Sequence, residues 1–464
     1  MKTTHRSLKL DRLDLVMAGA MGVLLATIGV VVARGDQIGI AIQSFGPQDS
    51  AGSRSPIHVV FDEPISDSAV DTYFTIRPAV PGKFTVVQDQ VTFLPTQPLA
   101  QGQDYTVTIK AGIQSSAGRS LKQDLQWHFR VRPPWVTYLG PVDNIIQNVY
   151  LVDPASPGTP HALTNAKGGV LGYDPAPDGS GVVYTPLETN GTSSLFFWDA
   201  ATGTSRLLYE CKDAACSGPV WRPDGAAIAF ERVDLNSGTG MSAGAPRVWV
   251  YDLPTNTARP LFSDNQRVGY MPRWSPDGTK LAVVNGADGQ IILHDYPTNS
   301  DTTIPSLQGE FGAFSPDGRW LYFPKVVAVG DGGYVTHLVL VDLSSNLNVQ
   351  HDLVPDSDPS DDVEAAWLPD SKHLVVARRT GSSAGVDNPQ LFSVETMTGA
   401  AAPLVVDPAY SQSNLSVDPT GSTLLFQRFP LSKPGARPEI WIYRLATHQL
   451  EPIAANGASP RWMP

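Results

Sequence analysis

A short turn recurs through the larger, C-terminal part of this chain, and it limits the fold more than any other feature. It reads Pro177-Asp178-Gly179, Pro223-Asp224-Gly225, Pro276-Asp277-Gly278 and Pro316-Asp317-Gly318, with the variants Pro369-Asp370-Ser371 and Pro419-Thr420-Gly421. Proline presets φ at the first turn position, aspartate bonds nearby backbone N–H groups, and glycine accepts a positive φ. Three residues after the glycine position every copy has an apolar residue: Val182, Ile228, Leu281, Leu321, Leu374 and Leu424. Three residues before the aspartate stands a bulky one in four copies: Trp221, Trp274, Phe314 and Trp367. Each turn therefore joins two strands that both enter a core.

A second element follows each turn by about 15–25 residues, an apolar strand that ends mostly in an acid. Its copies end at Asp153, Asp199, Asp252, Asp295, Asp342, Glu395 and Arg444. The period is about 43–53 residues, and four strands per unit at that period define a propeller blade. The first unit, near Trp135 to Thr164, lacks its leading strand. The segment Ser459-Pro460-Arg461-Trp462-Met463-Pro464 supplies it, because Trp462 and Pro464 repeat the spacing of Trp274 and Pro276. The expectation is an all-β chain with a seven-bladed propeller over 135–464, closed by the C-terminal strand, which removes exposed sheet edges. The units, fullest in Trp274-Ser275-Pro276-Asp277-Gly278-Thr279-Lys280-Leu281-Ala282, resemble the TolB-like, WD40-like propeller repeat. That resemblance implies the fold and only weakly a Tol role.

Between 38 and 132 the texture changes to short alternating runs, such as Ile57-His58-Val59-Val60-Phe61, Tyr105-Thr106-Val107-Thr108-Ile109 and Trp127-His128-Phe129-Arg130-Val131. About seven short strands in about 95 residues predict a β-sandwich. The run from Ser55-Pro56-Ile57 through Val91-Thr92-Phe93-Leu94-Pro95 and Gly102-Gln103-Asp104-Tyr105 to Trp127 resembles the bacterial Ig-like domain of the SbsA type. That resemblance implies a spacing, linking or adhesive domain without catalytic residues.

Leu15 to Ala33 carry no charge, and Lys2, Arg6, Lys9 and Arg12 precede them. Length and flanking charge predict a transmembrane signal anchor at 15–33, a cytoplasmic tail at 1–14 and an extracytoplasmic bulk in the cell envelope. A cleaved signal peptide ending near Val31 and Ala33 is the rival. Cys211 and Cys216 are the two cysteines. Outside the cytoplasm an even count favours a disulfide between them, the alternative being two free thiols in a loop.

The formal net charge of −12 argues against a nucleic-acid partner, which needs a basic surface. Gly381-Ser382-Ser383-Ala384-Gly385 spells a hydrolase elbow, but it precedes Val386-Asp387-Asn388-Pro389 rather than a helix, so no catalytic serine is expected. Asp356, Asp358, Asp361, Asp362 and Glu364 lack calcium-loop spacing and read as a solvated loop. The nine histidines form no metal motif, and no cofactor fingerprint appears. Long Gly/Ser-rich loops at 233–246, 330–333 and 381–388 are candidates for a rim that binds. The expectation is thus a membrane-anchored binding or scaffold protein, not an enzyme, whose propeller presents a face to a protein, peptide or glycan. Alternatives are a structural envelope component or a propeller-channel hydrolase or lyase.

Overall fold

The computed structural model describes residues 12–35, 39–66, 70–143, 145–235, 242–264, 266–306, 309–330, 333–345, 349–380, 388–432 and 434–464. It divides into two compact units, one of Met1–Ala51 with Pro56–Val131, the other of Gly52–Ser55 with Arg132–Pro464.

The expected membrane span falls in a helix of 24 residues, Arg12–Gly35. Side chains are described there for Met17 and Gly19–Val30. Among the described residues no helix is long and apolar enough to cross a membrane. The single-pass location, with a cytoplasmic N-terminus, a signal anchor and an extracytoplasmic bulk, is corrected accordingly: the structure does not support it.

The first unit holds two four-stranded sheets. One orders Ile42–Gly46, Ile57–Phe61, Gln90–Pro95 and Gly82–Val87; the other orders Ser50–Ala51, Leu125–Val131, Asp104–Ile109 and Phe74–Arg77. Strand alternation sends Ile57, Val59, Phe61, Val91 and Phe93 of one sheet against Val107, Ile109, Phe129 and Val131 of the other, all buried. Ile42–Gly46 was not legible as a strand, because its residues do not alternate between buried and exposed.

The second unit is a β-propeller. Among the described residues it has seven successive antiparallel sheets, six of four strands. The first sheet combines Trp135–Gly140, Asn148–Val152 and His161–Ala162 with the distant strand Ala458–Met463. The fifth has three strands, Trp320–Val329, Gly333–Asp342 and Gln350–Asp352, and in place of a leading strand a single bridge joins Phe314 to Leu321.

The repeated turn has the chemistry its residues dictate. Asp178, Asp224, Asp277, Asp317 and Asp370 each accept the backbone N–H two residues on, at 2.9–3.0 Å. In the last copy Thr420 stands where the acid would be, and Asp418 takes the N–H groups of Ser422 and Thr423 instead. Gly179, Gly225, Gly278, Gly318 and Gly421 have φ between 69° and 74°, and Ser371 has 55°. The six apolar residues after the turns are all fully buried. The acid that ends the third strand caps the next turn: Asp252 and Asp295 each accept both the N–H and the Oγ1–H of Thr255 or Thr298.

The bulky residue before the turn ties one sheet to the preceding one. The indole N–H of Trp221 donates to the Asp174 carbonyl, that of Trp367 to Ala313, and that of Trp462 to Ser416, at 3.0–3.2 Å. Trp274 fills the same position, yet its buried Nε1 has no partner.

Trp367→Phe removes part of a buried ring and the N–H that ties it to the Ala313 carbonyl, so it is expected to lower unfolding free energy by about 1–2 kcal/mol or more. Trp274→Phe loses the same ring volume but no hydrogen bond, so it is expected to cost less; denaturant titration of both variants reads the contrast. Lys280 and Thr298 hold the Asp295 carboxyl down to about 2. A depressed carboxylate stabilises above its unfolded value, about 4, and that stability is lost as pH falls through the folded value. Asp295→Asn is therefore expected to lower the urea midpoint at neutral pH and to match the parent once pH drops below about 2.

Candidate functional site

The leading strands of the propeller sheets converge on cavities within this unit. Those strands are Val170–Pro175, Ala214–Trp221, Gly269–Trp274, Asp361–Trp367, Tyr410–Val417 and Ala458–Met463. Each carries a register shift against its neighbour, at Val170/Gly172, Ser217/Val220, Tyr270/Arg273, Asp362/Glu364, Ser413/Ser416 and Ala458/Arg461. Gly218, Met271, Asn414 and Ser459 stand in these shifts with positive φ. A bulge of this kind re-aims the side chains beside it.

One cavity of about 430 Å³ is bordered by Asp174, Arg273, Glu364, Asn414, Ser416 and Arg461. A second of about 250 Å³ is bordered by Leu171, Gly218, Glu231, Met271, Arg273 and Arg461. Arg273, Ser459 and Arg461 border both. The lining residues come from several sheets, so segments far apart in the chain meet at these cavities.

The carboxylates at this site are engaged. Asp174 accepts Arg461 Nη1 at 2.5 Å on one oxygen and the Trp221 N–H at 2.8 Å on the other. Glu364 accepts the N–H groups of Asn414 and Leu415 at 2.7 and 3.0 Å, one on each oxygen. Glu231 accepts the Met271 N–H at 2.9 Å. Each acid thereby crosses to the next sheet and satisfies a backbone donor exposed by a bulge or strand end. Burial pushes the Glu364 carboxyl up, against the pull of its two N–H partners. Burial opposes the charge of Arg461, and the adjacent Asp174 outweighs it, so its pKa is raised. Burial and then the Arg461 charge draw Arg273 down, partly offset by Asp174 and Glu231. Burial also raises the phenols of Tyr173 and Tyr322.

Of these charged groups the sequence pattern singled out only Glu364, within the acidic run, and missed Asp174, Glu231, Arg273 and Arg461 as site residues. The signal was present at one repeat position, the residue just before the bulky one. That position holds Asp174, Val220, Arg273, Ala313, Ala366, Ser416 and Arg461 in successive units.

The acidic run does not stay together. Asp356 pairs with Lys325, Asp361 with Arg379 and Asp362 with the buried Arg378, while Glu364 turns toward the cavity. The Gly381–Gly385 string lies outside the described residues, as do 236–241 of one expected rim loop and 331–332 of another.

Comparison with known proteins places both units. Residues 36–131 match the family model of the bacterial Ig-like domain. Over 211 residues the chain is 24% identical to the uncharacterized peptidase YuxL of Bacillus subtilis (strain 168), a match covering 36% of this chain and 31% of that protein. The chain thus spans about a third of the curated relative it matches. The structure of a Mycobacterium tuberculosis puromycin-hydrolyzing peptidase superposes with a TM-score of 0.52 at 14% identity, over 89% of this chain and 57% of its own. TolB from Acinetobacter baumannii superposes with a TM-score of 0.43 at 15% identity, over 84% and 83% of the two chains. These structural likenesses are likenesses of fold. The expectation that the chain is not an enzyme is corrected: the curated relative is named a peptidase, and peptidases share the fold.

Cys211 and Cys216 are both buried and are joined in the structure, with Cα atoms 6.3 Å apart. They sit in a core cluster with Phe197, Trp221 and Phe230. Replacing both with Ala is expected to cost about 2 kcal/mol through the freed loop. Thermal unfolding of the variant, set beside the two-hydrogen mass deficit of the parent, checks this.

Proposed function

We propose that this chain recognises peptides through the channel of a closed, seven-bladed propeller, as the substrate-selecting part of a peptide-processing system. In this reading the seven sheets are seven blades, and the strand Ala458–Met463 closes the ring. The observation that carries it is the convergence of charged side chains from four different sheets on one cavity: Asp174, Arg273, Glu364 and Arg461. Water-accessible space bordered by a few fixed polar groups is the usual form of a ligand site. The bacterial Ig-like unit serves as a spacer or adhesive module.

The peptidase relative favours a second, compatible reading, in which the same protein takes part in peptide hydrolysis. Turnover of quenched fluorogenic peptides by the purified chain tests that reading directly.

Leu171 borders the second cavity, which shares Arg273 and Arg461 with the first, and is 45% exposed, so it is free to change without opening the core. Leu171→Trp is expected to weaken binding of peptides selected on the parent by about tenfold or more, with the melting temperature unchanged. Equal binding by parent and variant would remove the channel from the mechanism.

A further inference from the structure

We propose that the propeller channel holds a carboxylate, gripped by Arg273 with Arg461 as a second donor. This deepens the peptide-recognition reading above and rests on it. The argument starts from which charges at the cavity are already committed. Asp174 and Glu364 have both oxygens engaged, and Glu231 is bonded to the next sheet. These acids hold the ring of sheets together and have little left to offer a cationic ligand. Arg461 is committed through Nη1 to Asp174 and keeps its other N–H donors, with 38% of its side chain accessible.

Arg273 differs from all of them. Among the described residues its guanidinium has no hydrogen bond and no ion pair, although it borders both cavities. A guanidinium is always charged and presents a planar fork of donors that fits a carboxylate through two parallel bonds. The Arg273 side chain is half-buried and borders water-accessible space, so this free fork of donors is open to an anion. Burial and the neighbouring Arg461 already press against the Arg273 charge, in the direction an incoming anion would relieve. At the same repeat position Val220, Ala313, Ala366 and Ser416 carry no charge, and the one acid, Asp174, has both oxygens engaged by Arg461 and the Trp221 N–H. The free carboxylate at the end of a peptide, or that of an acidic side chain, has the required chemistry.

The test uses the full chain and calorimetric titration with four probes: acetyl-tetraalanine with a free carboxylate, its C-terminal amide, the acetylated amide with one glutamate, and unacetylated tetraalanine amide. Sodium propionate serves as a fifth, minimal probe. The free acid is expected to bind at least about tenfold more tightly than its amide. Arg273→Gln is expected to abolish that preference, and Arg273→Lys to restore part of it. Restored affinity in the glutamate amide assigns the carboxylate to a side chain, whereas binding of the free acid alone assigns it to the peptide terminus; either supports the site. Equal binding of acid and amide, a preference unchanged in Arg273→Gln, or selective binding of the free amine would overturn it while leaving peptide recognition intact. Arg273-dependent binding of propionate without binding of any peptide would keep the carboxylate site and overturn peptide recognition. The acid–amide comparison needs no variant, so it decides the matter even if Arg273→Gln misfolds.

Discussion

The antiparallel pairing of Ala458–Met463 with Trp135–Gly140 is the constraint on which the second unit depends. It joins segments more than three hundred residues apart and gives the first sheet the leading strand its own segment lacks. Backbone hydrogen bonds of this kind are modest singly but costly to leave unmade in a buried edge. The pairing also has side-chain support: Thr137 bonds the Arg461 carbonyl, the Arg132 guanidinium bonds the Pro464 carbonyl, and the Trp462 indole reaches back to Ser416. Without this strand both cavities would lose Ser459 and Arg461 from their lining. Closure and site are therefore one event.

Inter-sheet contact follows a repeating logic. Tryptophan indoles reach a carbonyl of the preceding sheet, and acids on or beside the leading strands reach backbone N–H groups of the following one. The two kinds of bond run in opposite directions and together fix the angle between neighbours. The bulges in the leading strands leave backbone donors that need partners, and Glu231 and Glu364 supply them. This explains why charged residues occupy a region that hydrophobic periodicity reads as core. They are there first to satisfy the backbone. Among the described residues the Arg273 guanidinium is left without a hydrogen bond or ion pair, although it borders both cavities.

The fifth sheet departs from the pattern, and its sequence shows why. Phe314 has no indole N–H to donate, and the neighbouring Gly312 lies against the Tyr322 ring, where a Cβ would meet ring atoms at 1.8 Å. The segment keeps a single bridge to Leu321 and forms no regular strand. The adjacent hairpin, Trp320–Val329 with Gly333–Asp342, is correspondingly long, and its far end leaves Val326 and Tyr334 exposed.

Much of the fold was legible from residues alone, because the turns are local. Proline, aspartate and glycine in sequence specify a turn through φ preferences and one side-chain bond, and the apolar residue three positions on must then enter the core. The spacing of Trp462 and Pro464 was likewise enough to identify a missing strand. The same local logic did not secure a membrane span. It also missed Ile42–Gly46, whose pairing with Ile57–Phe61 depends on a partner strand rather than on its own alternation. The candidate site was not legible, although its residues stand at a fixed repeat position. Whether Asp174, Arg273 and Arg461 face solvent, core or one another depends on bulges and on which sheets meet, and both are set by long-range pairing. The sequence by itself determined the repeated turns and most of the strands, because φ preferences and alternation are local. The tertiary structure alone decided that Asp174, Arg273, Glu364 and Arg461 share one cavity, and that Arg273 is left without a hydrogen-bond partner among the described residues, because both depend on long-range pairing.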